Sequence, residues 1–298
     1  MKPLQIKVPA TTANLGPGYD LIGCALSISN QFDFRIAEQL SVEFHGPRAS
    51  ECQFKLDHDS LIWKAFERVY QSCGQVPPYF HLSQSVSIPP ARGMGSSSSA
   101  IVAGLLAANH WLNQALSNDE LLQLATELEG HPDNVAPALL GGCILNHPDA
   151  SWTRIPIDPS LHWIVCIPEF ELSTHQARTV VPQKTTLSNA ICNMAYLSSL
   201  VLGLSLNDHK LIGKGLQDTL HQPYRQILVP GMPEVIQAAI ASGALGAVLS
   251  GAGPTLLALS EDKPAQIGLA MCEKWSEFKI QAEFVSCVID PQGAICLD

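Results

Sequence analysis

Residues 89–100 read PPARGMGSSSSA, and the stretch that follows reads IVAGLLAANHWLNQAL. A turn of glycines and hydroxyls thus runs directly into an apolar segment. There Ile101, Leu105, Ala108 and Leu112 recur at helical spacing, which predicts a helix over residues 97–113. The start of a helix presents unpaired N–H donors and a partial positive charge, so it suits an anion, phosphate above all. Gly93 and Gly95 let the main chain approach closely, and Ser96 to Ser99 add hydroxyl donors and a ligand for magnesium. The bland alternative is that the serines cap the helix and the glycines only turn the chain.

Several phosphate binders are excluded. The one Gly-Lys pair, Gly213-Lys214, lacks the upstream glycine and the following Ser or Thr of a Walker A loop. The V-A-I-K, H-R-D and D-F-G motifs of protein kinases are absent. A dinucleotide fingerprint would want glycine where Ser98 stands. No G-x-S-x-G elbow is present, and no His/Cys cluster has metal-ligand spacing.

Downstream, Ser117 and Glu120 form a capping-box signature for a second helix that stops near Gly130, before His131-Pro132. Asp133-Asn134 would cap a third helix, ending at Gly141-Gly142. Upstream, residues 41–44 and 81–88 read as strands around a helix at 60–70. The Pro/Asp/Ser-rich stretch 146–160 is the candidate junction between domains at 1–155 and 156–298. Beyond it come a strand at 162–167 and a helix opened by Ser188. A helix over 233–243 and strands at 245–249 and 255–259 around an SGAGP turn follow, with a helix at 264–275 and a strand at 283–289 last. The irregular alternation favours an α+β class over a doubly wound sheet.

Hydrophobic residues make up 46% of the 298, against 15% charged, which is ample for sizeable cores. A net charge of −10 argues against nucleic-acid binding. Nine scattered cysteines without a C-x-x-C pair read as reduced thiols in the cytoplasm. No apolar leader segment follows Met1, and the longest apolar run, 100–108, is far short of the ~20 residues of a membrane span.

Two further glycine loops, PATTANLGPGYDLIG (9–23) and SGAGPTLLAL (250–259), look like other walls of one site. Together with 89–100 they resemble the three motifs of the GHMP small-molecule kinases, with Met94 in a position that is usually Leu. Within that family the chain resembles the branch acting on homoserine. The blocks TTANLGPGYD, EGHPDNVAPALLGG (129–142), THQARTVVP (174–182), HQPYRQILVPGM (221–232) and SGAGPT (250–255) occur in the right order.

The resemblance implies a two-domain fold, ribosomal-S5-like then ferredoxin-like, often in homodimers. It also implies transfer of the ATP γ-phosphoryl to the L-homoserine hydroxyl, in threonine biosynthesis. ATP would lie on Pro90, Ala91, Arg92, Gly93, Met94, Gly95, Ser96, Ser97, Ser98, Ser99 and Ala100. Magnesium would take Glu129 and a loop hydroxyl, Ser97 being favoured over Ser96. Homoserine is a zwitterion: Arg178 and Arg225 are the carboxylate clamps, and Asn14 and Asp20 the ammonium partners. Thr174, His131 and Gly251 line the same pocket by analogy. Glu129, Asn134 and Asp20 carry the catalytic assignments, Asn134 orienting the hydroxyl; Asp133 stays open between base and helix cap. A kinase for another small alcohol, or a non-catalytic metabolite sensor, are the rival readings.

Overall fold

The computed structural model describes residues 2–297. The chain opens with a long hairpin, β1 (Leu4–Ala13) and β2 (Ile22–Ile36), followed by β3 (Ser41–His45), α1 (Leu61–Ser72) and β4 (Phe80–Ser85). Helices α2 (Ser96–Trp111), α3 (Asn118–Glu129) and α4 (Pro132–Leu140) come next, then a hairpin of β5 (Cys143–Asn146) and β6 (Trp152–Ile155). The hairpin occupies part of the stretch 146–160, whose Pro/Asp/Ser content suggested only a connection; β6 pairs antiparallel with β5 across its turn.

The second half holds β7 (His162–Pro168), α5 (Thr174–Thr179), α6 (Leu187–Leu206), α7 (His209–Gly215), α8 (Gln222–Arg225) and α9 (Met232–Ala241). It continues with β8 (Gly246–Leu249), β9 (Leu256–Ser260), α10 (Pro264–Glu277) and β10 (Ala282–Cys287). A final strand, β11 (Ile295–Leu297), which the sequence reading did not anticipate, returns to pair antiparallel with β1.

Two sheets result. The first has seven strands along the order β11-β1-β2-β4-β3, with β5 on β2 and β6 on β5. The second has the order β10-β7-β9-β8. With helices between its first and second strands and between its third and fourth, this is the ferredoxin-like arrangement. The class is therefore α+β, as the sequence suggested. One core packs α1 to α4 on the first sheet around Trp63, Phe66 and Phe80. A second lies where the two halves meet, around Leu26, Met94, Trp163 and Leu216. The third holds α9 and α10 on the second sheet, around Trp275.

Local chemistry sets the helix ends that matter for the site. The Ser117 hydroxyl accepts from the Glu120 N–H, and Glu120 Oε2 accepts in return from the Ser117 N–H at 2.8 Å, so α3 begins as its capping box predicts. It ends at Gly130, which takes the left-handed conformation at φ 88°. Helix α4 starts two residues before a helix capped by Asp133 would. Pro132 takes its first turn, with its fixed φ and no N–H to lose, and His131 is the N-cap residue, without a side-chain capping bond. Asp133 and Asn134 therefore stand inside the helix, not at its cap.

Helix α6 stands apart among the described residues. Its 20 residues carry no charge and are long and apolar enough to cross a membrane by length and composition alone. Serines, asparagines and a tyrosine interrupt the apolar run, which is why a search for unbroken runs passes over it. In the fold, Asn193, Leu200, Gly203 and Leu204 are its buried face, with α7 packed against Gly203.

Candidate active site

Three chain segments converge where the first sheet meets the second half. The turn 89–95 leaves the first sheet and opens α2. Ala91, Gly93 and Gly95 all have positive φ, at 53°, 72° and 69°, a conformation that turns successive N–H groups inward as an anion-binding nest. Gly95 is the N-cap of α2 and supplies no side-chain cap, which leaves the first N–H groups of the helix for a ligand. A Cβ at Gly95 would lie 1.9 Å from Thr11 Oγ1, and one at Gly93 2.3 Å from the Ser250 carbonyl. The loop can lie this deep only as glycine.

Neighbouring segments hold it there. Thr11 N–H donates to the Met94 carbonyl at 3.1 Å, and Leu172 N–H to the Ala91 carbonyl at 3.1 Å. The Ser250 hydroxyl donates to the Gly93 carbonyl at 2.6 Å and lies 2.9 Å from Thr12 Oγ1. Thr11 and Thr12, read from sequence as part of a loop, lie near the end of strand β1, which runs to Ala13; the loop proper begins at Asn14.

Beside the α2 N-terminus stands Glu129, the last residue of α3. Ser97 Oγ lies 2.9 and 2.7 Å from its two carboxylate oxygens, and Ser98 Oγ donates to Oε1 at 3.0 Å. A carboxylate at the end of its own helix is poorly placed for that helix's dipole, but here it faces the positive end of α2. One carboxylate and one or two hydroxyls next to a phosphate-sized nest is a donor set that fits magnesium.

A small cavity of about 100 Å³ lies against this loop. It is lined by residues 91–98 together with Asn14, Glu129, His131, Asp133, Asn134, Thr174, Arg178, Arg225, Gly251 and Ala252. Most of the residues singled out in sequence therefore meet around one space. Pro90 and Ala100 instead face a larger cavity on the far side of the loop. Ser99 is buried, with its hydroxyl donating to the Ser96 carbonyl at 2.8 Å. Asp20 sits behind Arg178 and does not line the cavity.

The two guanidinium groups differ. Arg178 is held by Asp20 in a bidentate pair at 3.1 and 2.7 Å, and its Nη1 also reaches the Tyr19 hydroxyl at 3.2 Å. The Asp20 carboxylate raises its pKa further. Arg178 and Asp20, assigned from sequence to opposite ends of a zwitterion, thus pair with each other. Arg225 is only 1% exposed, and no carboxylate is bonded to it among the described residues. Its Nε donates to the Ala177 carbonyl at 2.9 Å and its Nη1 to the Gly251 carbonyl at 3.1 Å. Burial pushes its pKa down, although an arginine stays charged.

Sequence reasoning missed what supports Arg225. His221 Nε2 lies 2.8 Å from the Gly16 carbonyl, which can only accept, so the proton sits on Nε2. Nδ1 is then a lone pair 3.3 Å from Arg225 Nη1. Burial foremost, and then Arg225, hold the His221 pKa down, against the opposing pull of Asp218, which keeps the ring neutral. Tyr19 stacks on His221 with centroids 5.0 Å apart, and both guanidinium carbons lie over its ring, at 5.6 Å for Arg178 and 5.2 Å for Arg225. The signal was available: His221 stands four residues before Arg225 in the block HQPYR, so one helical turn brings them together.

At the base of the cavity Asn134 is fixed at both ends of its amide. Oδ1 accepts from the Thr11 hydroxyl at 2.8 Å, and Nδ2 donates to Asp133 Oδ1 at 3.3 Å. Asp133 is buried and bonded to His131 Nδ1 at 2.5 Å. Burial pulls the His131 pKa down, but the Asp133 carboxylate outweighs it and the net shift is upward. Asn14 is spent largely on the fold: its amide donates to the Gly251 carbonyl at 2.9 Å and accepts from the Asp20 N–H at 3.0 Å. One lone pair of that amide oxygen remains. Asp20, His131 and Asp133 offer three donor atoms within 4.8 Å of one another, but Arg178 and the His131–Asp133 pair already occupy them.

Residues 60–142 match the family model described as the GHMP kinases N terminal domain, and residues 199–277 match GHMP kinases C terminal. The chain belongs to the GHMP kinases. Over 298 residues this GHMP kinase is 43% identical to a homoserine kinase of Thermosynechococcus vestitus, covering 98% of each chain. It is 44% identical over 295 residues to a homoserine kinase of Trichormus variabilis, again covering 98% of each. Among solved structures it is similar to a homoserine kinase from Cytophaga hutchinsonii, with a TM-score of 0.89 at 28% identity over 100% of this chain and 98% of that one. A mevalonate kinase of L. major shares the fold at a TM-score of 0.72 and 19% identity, over 96% of this chain and 95% of that one.

Proposed function

We propose that this chain is a homoserine kinase, transferring the γ-phosphoryl group of ATP to the side-chain hydroxyl of L-homoserine for threonine biosynthesis. One observation carries the substrate reading: Arg225, a buried guanidinium with no carboxylate of its own, lining a small cavity against the phosphate loop. A buried charge wants a partner, and an amino-acid carboxylate supplies one for the two N–H groups of Nη2, which take no bond among the described residues. Arg178 stands beside it, and the free lone pair of Asn14 suits the ammonium. The relatives named homoserine kinase support the same reading.

ATP would lay its phosphates on the nest at 91–95 and the N-terminus of α2. Its base and ribose would enter the cavity of about 620 Å³ beyond Ser96 and Ser97, whose apolar lining includes Phe54, Leu61 and Ile62. Magnesium would be held by Glu129 and Ser97, with Ser98 in reach, and when bound would neutralise charge on the phosphates.

The chain's own residues supply alignment. The two arginines fix the carboxylate end of the substrate, and Asn134, locked between Thr11 and Asp133, orients the hydroxyl toward the loop. The hydroxyl oxygen bonds the γ-phosphorus as the bond to the β–γ bridging oxygen breaks. Phosphoryl transfer of this loose kind depends mainly on positioning and charge stabilisation. The proton can therefore leave late, to a phosphoryl oxygen, without a strong base. Asp133, bonded to both His131 and Asn134, acts by orienting them.

Purified protein with ATP and magnesium, offered homoserine, mevalonate, galactose and shikimate in parallel, tests the reading. Homoserine should be preferred, and a clear preference for another alcohol would refute the assignment.

We also infer a homodimer and a cytoplasmic location. The outer face of α6 exposes Leu187, Ile191, Met194, Leu202 and Leu206 without a charge among them, which suits a self-complementary contact. All nine cysteines are free thiols, as a reducing compartment would keep them.

A further inference from the structure

Arg92 belongs to the phosphate loop by sequence, yet its guanidinium is engaged elsewhere. Nη1 donates to Glu51 Oε2 at 2.6 Å, and Nη2 donates to the Glu169 carbonyl at 2.6 Å. Glu51 lies in a short turn following β3 and lines the larger cavity beyond the loop. Glu169 directly follows β7 and leads into α5, the helix that carries Thr174 and Arg178. One planar side chain thus ties three things together: the turn beside the larger cavity, the phosphate loop, and the segment entering the small-substrate side.

The network closes on itself. Glu51 Oε1 accepts from Arg48 Nη1 at 2.8 Å, and Arg48 Nη2 pairs with Glu283 on β10. The chain of charges Arg92–Glu51–Arg48–Glu283 therefore starts and ends against the second half of the molecule. Only 11% of the Arg92 side chain and 28% of the Glu51 side chain are exposed, so this pair is better shielded than a surface pair, while Glu283 at the far end is 55% exposed. Arg92 Nε is buried and has no hydrogen-bond partner among the described residues. An unpaired buried donor is costly, so the two-ended engagement of Nη1 and Nη2 is kept against that cost. Next to it, the Ala91 carbonyl accepts from Leu172 N–H at 3.1 Å, a second tie between the same two segments.

We propose that Arg92 is a positioning residue, a brace that locks the phosphate loop between Glu51 and the Glu169 carbonyl, and not a ligand of the phosphates. The inference rests on the reading of residues 91–99 as the nucleotide loop. Arg92 acts through main-chain geometry: it holds Ala91 and Gly93 in their positive-φ conformations, so that the nest faces the ligand.

The test is equilibrium titration of the full chain with a fluorescent, non-hydrolysable ATP analogue and magnesium, which needs no acceptor alcohol. Arg92→Gln and Glu51→Gln should each weaken binding by about tenfold or more, and the double variant should be no weaker than either single one, as for two ends of one strut. Arg92→Lys should fall with the glutamine variant, because one ammonium cannot span both acceptors. Hydrogen exchange should quicken in Arg92→Gln both at 89–95 and at 169–172.

A direct phosphate ligand would behave in the opposite way. Glu51→Gln would free the guanidinium and leave binding unchanged or tighter, and lysine would substitute as a point charge. Either result, or unchanged exchange at 169–172, would overturn the brace. Should the wild-type chain bind no nucleotide, the reading of the loop fails, and the exchange comparison still decides whether Arg92 joins the two segments.

Discussion

Replacing Arg225 by lysine separates the substrate reading from mere structural support. The guanidinium sends Nε to the Ala177 carbonyl at 2.9 Å and Nη1 to the Gly251 carbonyl at 3.1 Å, with the rest of the fork facing the cavity. A lysine places one nitrogen where arginine places three, so it keeps the charge but loses at least one carbonyl or the Nη2 contact to the carboxylate. Breaking a buried, hydrogen-bonded charge pair costs about 2–5 kcal/mol. At 1% exposure bulk solvent compensates little for the lost contact, so the upper part of that range applies, about 3–5 kcal/mol, or roughly 150- to 4,000-fold in kcat/KM for homoserine. The assay is steady-state kinetics with homoserine and with 3-aminopropan-1-ol, which keeps the hydroxyl and the ammonium but has no carboxylate. The amino alcohol should be a poor substrate for both proteins and to a similar degree. An unchanged kcat/KM for homoserine, or an equal loss with the amino alcohol, would refute the carboxylate assignment.

Other outcomes follow from the same geometry. Glu129→Gln should reduce kcat by roughly a hundredfold and raise the magnesium needed for half-maximal rate, as removal of charge stabilisation at a transferring group does; a magnesium titration of the initial rate measures it. Gly95→Ala forces a methyl group to 1.9 Å from Thr11 Oγ1 at a φ of 69°, and backbone strain with overpacking should together cost about 2–5 kcal/mol, read by urea denaturation. His131 has a pKa raised above its unfolded value by Asp133 despite burial. Its stabilising contribution is then fully present below the unfolded value of about 6.5 and is lost as pH rises through the folded value. The stability gap between wild type and His131→Gln should therefore be wider at pH 5.5 than at pH 8.5 in paired urea melts.

Where the determining interactions are short in sequence, the sequence was a good guide. The capping box at Ser117, the stop at Gly130 and the glycine-serine start of α2 each depend on residues within one helical turn. The first hairpin escaped notice because Pro9 sits within β1 and the register shifts between Pro9 and Ala10. A proline at a bulge hides a strand from pattern reading. Glycines and threonines at its end read as loop for the same reason. In the site, the residue types were legible but their partners were not. Arg178 and Asp20 lie 158 positions apart, and nothing local says that they bond each other before they meet a ligand. The tautomer of His221 likewise depends on the Gly16 carbonyl, which only the folded chain brings to it.

The pairing of β11 with β1 has a consequence for synthesis. Gln5, Ile6 and Lys7 at the start of the chain take Leu297, Cys296 and Ile295 as partners. During synthesis from the N-terminal side, then, the β1 edge of the first sheet stays open until residues 295–297 emerge. An open edge invites another strand, so a chain that lacks residues 295–297 is exposed to mispairing along β1. The arrival of residues 295–297 is what shuts that seam.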